Sequence, residues 1–177
     1  MNYFPQFNHL MDFQDFLDIN LPTNLIREHK FFLGIIDHLI NSSNTLRPHQ
    51  LSELHLRKGI IFFNLRNHIE SKKEFNIAIS INPNNYYQFL CRGCSKRYLG
   101  DLEDAYQDYI HGIFLNSFDP KSFLLKGKLE LKMDEYYEAI NTFETIKYKF
   151  FYNDFAVYQA TNHQMRAEEL ISRNKAY

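Results

Sequence analysis

Hydrophobic and polar positions repeat with a period of 34 residues over the central part of the chain. The clearest column consists of the glycines Gly59, Gly93 and Gly127, which are 34 residues apart. A leucine stands three residues before each glycine and a long apolar residue six residues after it, at roughly the spacing of one helix face. A small residue twelve positions after each glycine and an aromatic residue sixteen positions after it share one face of a second helix. The pattern therefore predicts three helix–turn–helix units of equal length.

The columns have a physical explanation in the packing of two antiparallel helices. A glycine inside a helix costs about 1 kcal/mol relative to alanine, so its recurrence predicts a place where a neighbouring helix comes too close for a side chain. Small residues opposite aromatic residues let the two helices interlock without voids. Short breaks separate the helices within each unit, at Asn67-His68, Gly100-Asp101 and Asp134-Glu135.

Three tandem units with this set of columns, the first of them closed by Pro83, resemble tetratricopeptide repeats. The resemblance covers about residues 51–153 and implies an all-α fold, a right-handed α–α superhelix with repeats at about 52–85, 86–119 and 120–153. Two departures stand out. His55 occupies a position that is usually large and apolar, and Ser117 and Phe151 replace the closing proline in the later repeats.

The flanks of the repeats are less regular. Residues 1–50 are predicted to form an N-terminal helical arm or cap, with a short helix at Asp12–Ile19 and an amphipathic helix at Thr23–Asn41. Residues 154–177 are predicted to form a helix, to about Arg173, that covers the apolar face of the last repeat. The N-terminus is rich in aromatic residues, and three roles stay open for it: a cap on the first repeat, a plug in the protein's own groove, or a dimer contact. These residues are Tyr3, Phe4, Phe7, Phe13 and Phe16.

Composition narrows the function classes. The formal net charge of −1 lacks the broad positive charge that nucleic-acid binding requires. The longest apolar cluster, residues 31–40, is interrupted by Gly34, Asp37 and His38, and it is too short to span a bilayer. The first twenty residues lack the basic start and the apolar run of a signal peptide. The chain has two cysteines, which fits a reducing compartment. We therefore expect a cytoplasmic protein without membrane or nucleic-acid partners.

The resemblance implies a concave groove lined by the first helix of each repeat. Its far end gathers four cations, Arg97, Lys121, Lys128 and Lys132, against one acid, Glu53. We expect a protein or peptide ligand with apolar anchors and an acidic stretch or free carboxylate. The predicted groove residues are Glu53, Leu56, Ile60, Phe63, Asn64, Tyr87, Leu90, Cys94, Arg97, Tyr98, Lys121, Leu124, Lys128, Leu131 and Lys132.

A carboxylate clamp occurs in repeats of this family that hold chaperone tails. In the matching columns only Lys121 agrees, because Leu56, Ile60, Cys91 and Leu125 replace the polar residues. Binding of a chaperone tail is therefore disfavoured.

No motif indicates catalysis, a metal or a cofactor. Cys91 and Cys94 form a C-x-x-C in mid-helix, whereas a redox pair needs a helix N-terminus to lower the pKa of its thiol. The eight histidines show no metal-ligand spacing. We therefore predict a non-enzymatic interaction module with an adaptor, assembly or chaperone role. The alternatives are a secretion-type chaperone for a translocator protein and a structural dimer whose N-terminus fills its own groove.

Overall fold

The structure, a computed structural model, describes residues 23–42 and 46–174, and in the first helix it describes the side chains of residues 27–41. The described residues form eight helices and no strand, which confirms the predicted all-α fold. The predicted helix at Asp12–Ile19 and the aromatic residues around it lie outside this part of the chain. The helices are α1 (Thr23–Ser42), α2 (Pro48–Asn64), α3 (His68–Ile81), α4 (Tyr86–Leu99), α5 (Leu102–Leu115), α6 (Pro120–Lys132), α7 (Tyr136–Lys149) and α8 (Asp154–Asn174).

Helices α2 to α7 form three consecutive pairs, and each pair packs on the next. Polar side chains mark the starts of the helices as the breaks predict. Asn67, Asn85, Asp119 and Asn153 each accept a hydrogen bond from a backbone N–H in the first turn of the helix that follows. Each such cap stabilises its helix by about 1 kcal/mol. α1 packs on α2 before the first pair, and α8 packs on α7 and α6 after the last.

The glycine column marks the closest approach of the two helices in each pair. A Cβ placed on Gly59 would lie 2.5 Å from the ring of Phe75. A Cβ placed on Gly93 would lie 2.6 Å from the ring of Tyr109. A Cβ placed on Gly127 would also lie 2.6 Å from the ring of Phe143. The aromatic column of the second helix therefore fills the space left by the glycine column of the first, and these three rings are fully buried.

A second column joins the helices of each pair through charge. The basic residue before each glycine reaches a buried polar side chain sixteen residues later. Lys58 Nζ lies 2.8 Å from Glu74 Oε1, and Arg92 forms two hydrogen bonds with the carboxylate of Asp108. In the third pair Lys126 donates to Thr142 and also pairs with Glu130 on its own helix.

The contact between Lys58 and Glu74 also explains why position 55 is polar. His55 Nδ1 lies 2.7 Å from Glu74 Oε2, so the histidine joins the polar contacts that link the two helices of the first pair. Lys58 extends these contacts to α1, because its Nζ also lies 2.9 Å from Asp37 Oδ1.

Candidate functional site

The first helices of the three pairs, α2, α4 and α6, present one common face, which we call the groove face. α4 contacts both α2 and α6. In a solenoid this is the arrangement that produces an extended binding surface. All fifteen predicted groove residues lie on these three helices.

Five of the predicted groove residues belong to the core instead. Leu56, Phe63, Leu90, Cys94 and Leu124 are between 0% and 8% exposed. They pack against α3, α5 and α7 or against the next pair, as in the cluster of Phe63, Leu90 and Cys94. These five side chains therefore pack in the core in the described structure, and contact with a ligand at these positions stays a prediction.

Three of the predicted cations cluster on α4 and α6. Lys132 Nζ donates to the backbone oxygen of Arg97 at 3.1 Å, and the guanidinium of Arg97 lies 5.0 Å from the centre of the Tyr98 ring. Lys128 Nζ reaches Gln159 Oε1 of α8 at 3.4 Å. The fourth cation, Lys121, is half-buried in the first turn of α6.

The remaining predicted residues form the less charged part of the groove face. Ile60 and Tyr87 are half-buried and pack against the core between α2 and α4. Leu131 packs against the core of the last pair. Asn64 is held by the ring of His29 on α1, with Nδ2 and Nε2 3.2 Å apart.

The sequence analysis missed two residues at this surface. Arg57 pairs with Glu53 at 2.8 Å, so the single acid of the predicted groove is neutralised from its own helix. A separation of four residues, acid before base, is the usual spacing of such a pair and could have revealed it. Gln159 brings α8 to the groove face through Lys128, and no pattern in the sequence marks that contact.

Tyr98 belongs to a group of three ring side chains in contact at the end of α4. Its ring stacks on His68 with centres 4.7 Å apart, and it meets Phe63 edge to face at 5.4 Å. Burial lowers the pKa of His68, and the charge of Arg66 lowers it further. The lowered pKa favours the neutral imidazole, the form that stacks as an apolar ring.

His163 of α8 is the titratable group for which the structure gives the clearest pH dependence. Its ring stacks on Phe143 at 5.6 Å, and burial, with Lys128 and Arg166 nearby, lowers its pKa to about 4. The unfolded chain, with a pKa near 6.5, takes up this proton at a higher pH than the folded protein does. We expect stability to be complete above pH 6.5 and to fall as the pH drops towards 4.

Urea denaturation at several pH values measures this effect. His163→Gln should lose less stability than the wild type between pH 7 and pH 5, whereas His49→Gln, at an exposed position, should follow the wild type. A His163→Gln curve parallel to the wild type over this range would contradict the assignment.

The two cysteines are buried in α4. Cys91 is 1% and Cys94 4% exposed, and burial raises the pKa of both thiols. Tyr109 donates its hydroxyl hydrogen to Cys94 Sγ at 3.4 Å. A reactive thiol needs a lowered pKa and access to solvent, so the environment of this pair is that of packing residues.

Within residues 23–42 and 46–174, no group of three or more His, Cys, Asp or Glu side chains could hold a metal ion. None of the helices in this part of the chain combines the length and the apolar character needed to cross a membrane.

Comparison with known proteins finds a family match for one of the three predicted repeats. The tetratricopeptide repeat family model matches residues 52–85, the range predicted for the first repeat. A search of curated proteins found no match.

Solved structures with a similar fold come from several organisms. The TPR2B domain of yeast Sti1, in a complex with pHsp70, is 15% identical with a TM-score of 0.64, and the match covers 67% of this chain and 97% of that chain. The second TPR domain of human RPAP3, in complex with an HSP70 peptide, is 20% identical with a TM-score of 0.62, covering 69% and 98%. A T3SS complex from Aeromonas hydrophila is 16% identical with a TM-score of 0.63, covering 79% and 91%. At these identities the likeness shows the fold.

Proposed function

We propose that this chain, whose described helices have the fold of tetratricopeptide repeat domains, is a non-enzymatic interaction module that binds an acidic segment of a partner protein along its groove face. The observation that carries the proposal is the cluster of Arg97, Lys128 and Lys132 on α4 and α6. Glu53, the one acid among the predicted groove residues, is paired with Arg57 of its own helix.

The chemistry of the cluster fits carboxylates. A guanidinium presents several donors in a plane and matches a carboxylate in a bidentate arrangement, while lysines act as point charges around it. Charge-assisted hydrogen bonds of this kind contribute about 1.5–3 kcal/mol each. The hydrogen bond from Lys132 Nζ to the backbone oxygen of Arg97 brings the cation of α6 next to α4, so one ligand could contact cations of both helices.

The apolar side chains of the groove face would contact the apolar side chains of the ligand. Tyr98 is 37% exposed, and its ring is held by His68 and Phe63. Three further apolar side chains of the groove face are half-buried, namely Ile60, Tyr87 and Leu131. Rigid aromatic rings of this kind bury a large area on binding and lose little conformational entropy.

The structure argues against a chaperone tail as the ligand. Leu56, Cys91 and Leu125 occupy three of the five clamp columns, and all three are buried. The Hsp peptides bound by the structural neighbours are therefore not transferred to this chain. The ligand we propose is an acidic segment with apolar side chains that lies across α4 and α6.

The test uses short fluorescein-labelled peptides of alternating Leu and Glu, Leu and Gln, or Leu and Lys, with fluorescence anisotropy as the readout. We expect binding of the Leu–Glu peptide alone, weakened by salt. Lys132→Glu should reduce its affinity at least about tenfold, which corresponds to about 1.4 kcal/mol.

The matched control for this test is Lys73→Glu. Lys73 lies on α3, its side chain is 61% exposed, and among the described residues it pairs with Glu70 of its own helix. The control should bind the peptide as the wild type does. Equal losses in the two variants, or no preference for the acidic peptide, would remove the support for the groove face.

The narrower alternatives stay predictions. The secretion-type chaperone shares the tetratricopeptide fold, and the similarity to the Aeromonas complex shows that fold alone. The structural dimer whose N-terminus fills its own groove also stays a prediction.

A further inference from the structure

The five most exposed large hydrophobic side chains of the described residues lie in one region, at the ends of α5 and α7 and in the turns that follow these helices. Their exposed fractions range from 67% to 88%. A single exposed hydrophobic residue is common on a protein surface, but a group of them marks an interaction surface. We call this group the aromatic edge, and its members are Phe114, Phe118, Tyr148, Phe151 and Tyr152.

The repeat pattern shows that the aromatic edge is a feature of the second and third repeats. In the first repeat the equivalent positions, one or two repeat lengths earlier, carry no aromatic side chain; they are Ser80, Pro83 and Asn84. Phe151 is one of the two residues that replace the closing proline, and it belongs to this surface. Because successive repeats stack on each other, equivalent positions lie side by side, and the rings of the two repeats form one surface.

A packed aromatic base connects the two turns of the aromatic edge. Lys149 Nζ lies 5.1 Å from the centre of the Phe123 ring and 5.7 Å from that of Phe118. The same Nζ lies 5.7 Å from the ring centre of Phe150, which is 1% exposed. Phe123 and Phe150 meet edge to face at 5.5 Å, and the ring of Tyr152 lies 6.5 Å from that of Phe150. The exposed rings of both turns are therefore connected through Lys149 and a buried ring.

The area of the aromatic edge matches one side of a protein dimer. An aromatic side chain has about 150–250 Å² to bury, so five rings with these exposed fractions present about 800 Å² of mostly apolar surface. The largest apolar patch on a typical monomer covers about 300–600 Å². A standard protein interface buries about 800 Å² on each partner, and the interfaces of homodimers are among the more apolar ones.

The charges around the rings balance, which favours a second copy of the chain as the partner. None of the four charged residues in 114–119 and 147–154 forms a salt bridge with another described residue. They are Lys147, Lys149, Asp119 and Asp154. An anionic membrane requires an excess of cations, as does an acidic peptide. In a two-fold dimer the lysines of one copy can lie opposite the aspartates of the other, so a balanced surface is complementary to itself.

We propose that the aromatic edge is the interface of a homodimer, in which two copies of the chain pack this surface against each other about a two-fold axis. The groove face lies on α2, α4 and α6, whereas the rings of the aromatic edge lie on α5, on α7 and in the turns after them. The inference therefore does not depend on the proposed ligand of the groove face.

The mass of the full chain in solution tests the proposal, measured by light scattering after gel filtration and by sedimentation equilibrium at about 1–100 µM. We expect twice the chain mass of 21.3 kDa at the upper concentrations. Phe118→Asn combined with Tyr152→Asn gives both positions the residue found at Asn84 in the first repeat. This variant should raise the dissociation constant of the dimer at least about hundredfold, because aromatic side chains dominate the energy of such interfaces.

The matched control removes two exposed rings elsewhere. Phe31 on α1 is 66% exposed, and Tyr137, at the opposite end of α7 from Tyr148, is 59% exposed. Phe31→Asn combined with Tyr137→Asn should dimerise as the wild type does. Circular dichroism should show that both double variants are folded, since the substituted side chains are exposed. A wild type that is monomeric at about 100 µM, a dimer that persists in Phe118→Asn/Tyr152→Asn, or an equal loss in the control would overturn the proposal.

Photochemical cross-linking locates the contact in a second measurement. Benzoylphenylalanine replaces Tyr148, which is 88% exposed, or Tyr137 as the control. Irradiation should join two chains through position 148 and not through position 137, and the Phe118→Asn/Tyr152→Asn changes should abolish the product. Equal yields at the two positions would contradict the proposed interface.

Sedimentation with vesicles of phosphatidylcholine and phosphatidylserine tests a lipid surface as the partner. We expect the wild-type dimer to stay in the supernatant, because its rings are covered by the second copy. A monomeric wild type that sediments with the vesicles, together with a Phe118→Asn/Tyr152→Asn variant that does not, would assign the aromatic edge to a membrane and overturn the dimer.

Discussion

Lys126→Ala is expected to lower the free energy of unfolding by about 3–5 kcal/mol, because it leaves a buried carboxylate without its cation. Glu130 is 0% exposed. Lys126 Nζ pairs with Glu130 Oε1 and donates to Thr142 Oγ1 at 2.8 Å, and the hydroxyl of Tyr106 lies 3.5 Å from the same carboxylate oxygen. No other ion pair is recorded for Glu130 in the described residues. Urea denaturation followed by circular dichroism measures the loss.

Two further variants separate the charge effect from the loss of a long side chain. Lys73→Ala removes a lysine from an exposed pair on α3 and should cost at most about 1 kcal/mol. Lys126→Met combined with Glu130→Leu removes both charges and should be more stable than Lys126→Ala, because no buried carboxylate remains without a partner. If Lys126→Ala and Lys73→Ala cost the same, the buried pair does not stabilise the third repeat.

Gly93→Ala should be destabilising by about 1–3 kcal/mol as a result of overpacking, although alanine is the better helix former by about 1 kcal/mol. The new Cβ would lie 2.6 Å from Tyr109 Cε1 and 3.2 Å from the backbone oxygen of Ala105. Tyr109 is fully buried and its hydroxyl is bound to Cys94, so the ring cannot move aside without breaking other contacts. Thermal and urea denaturation would show the change.

A compensating substitution checks the cause. Tyr109→Leu alone should also be destabilising, because it leaves a cavity. Combined with Gly93→Ala it should cost less than the sum of the two single changes, since the smaller side chain makes room for the methyl group. Additive losses would mean that the glycine and the ring do not compete for the same space.

The sequence predicts the helices well because glycine–aromatic packing imposes one repeat length. Each pair places a glycine opposite a ring, as Gly59 is opposite Phe75. The 34-residue pattern therefore holds although the residue in the turn between the two helices varies. It is Gly100 in the second pair, Arg66 in the first and Asp134 in the third. Arg66 and Asp134 adopt left-handed backbone conformations with φ of 59° and 63°. The glycines inside the helices therefore predict the positions of the helix pairs better than the turn residues do.

The groove was harder to predict, because helical periodicity gives the direction of a side chain but not its depth. Leu90 and Arg97 both lie on α4 in predicted groove columns, yet Leu90 is fully buried between neighbouring helices and Arg97 is not. Burial depends on how closely the next pair approaches, which local sequence does not encode. The buried ion pairs do leave a pattern, a basic residue sixteen positions before an acid at Lys58–Glu74 and Arg92–Asp108.

The reactivity of the two buried thiols can be used to measure local unfolding of the central repeat. Only the thiolate reacts with an alkylating reagent, and the raised pKa values and small exposure of Cys91 and Cys94 suppress that reaction in the folded protein. Modification therefore requires α4 to separate from its neighbours. The alkylation rate should report the local unfolding equilibrium of the middle of the solenoid, and comparison with global unfolding would show whether the repeats open one by one or together.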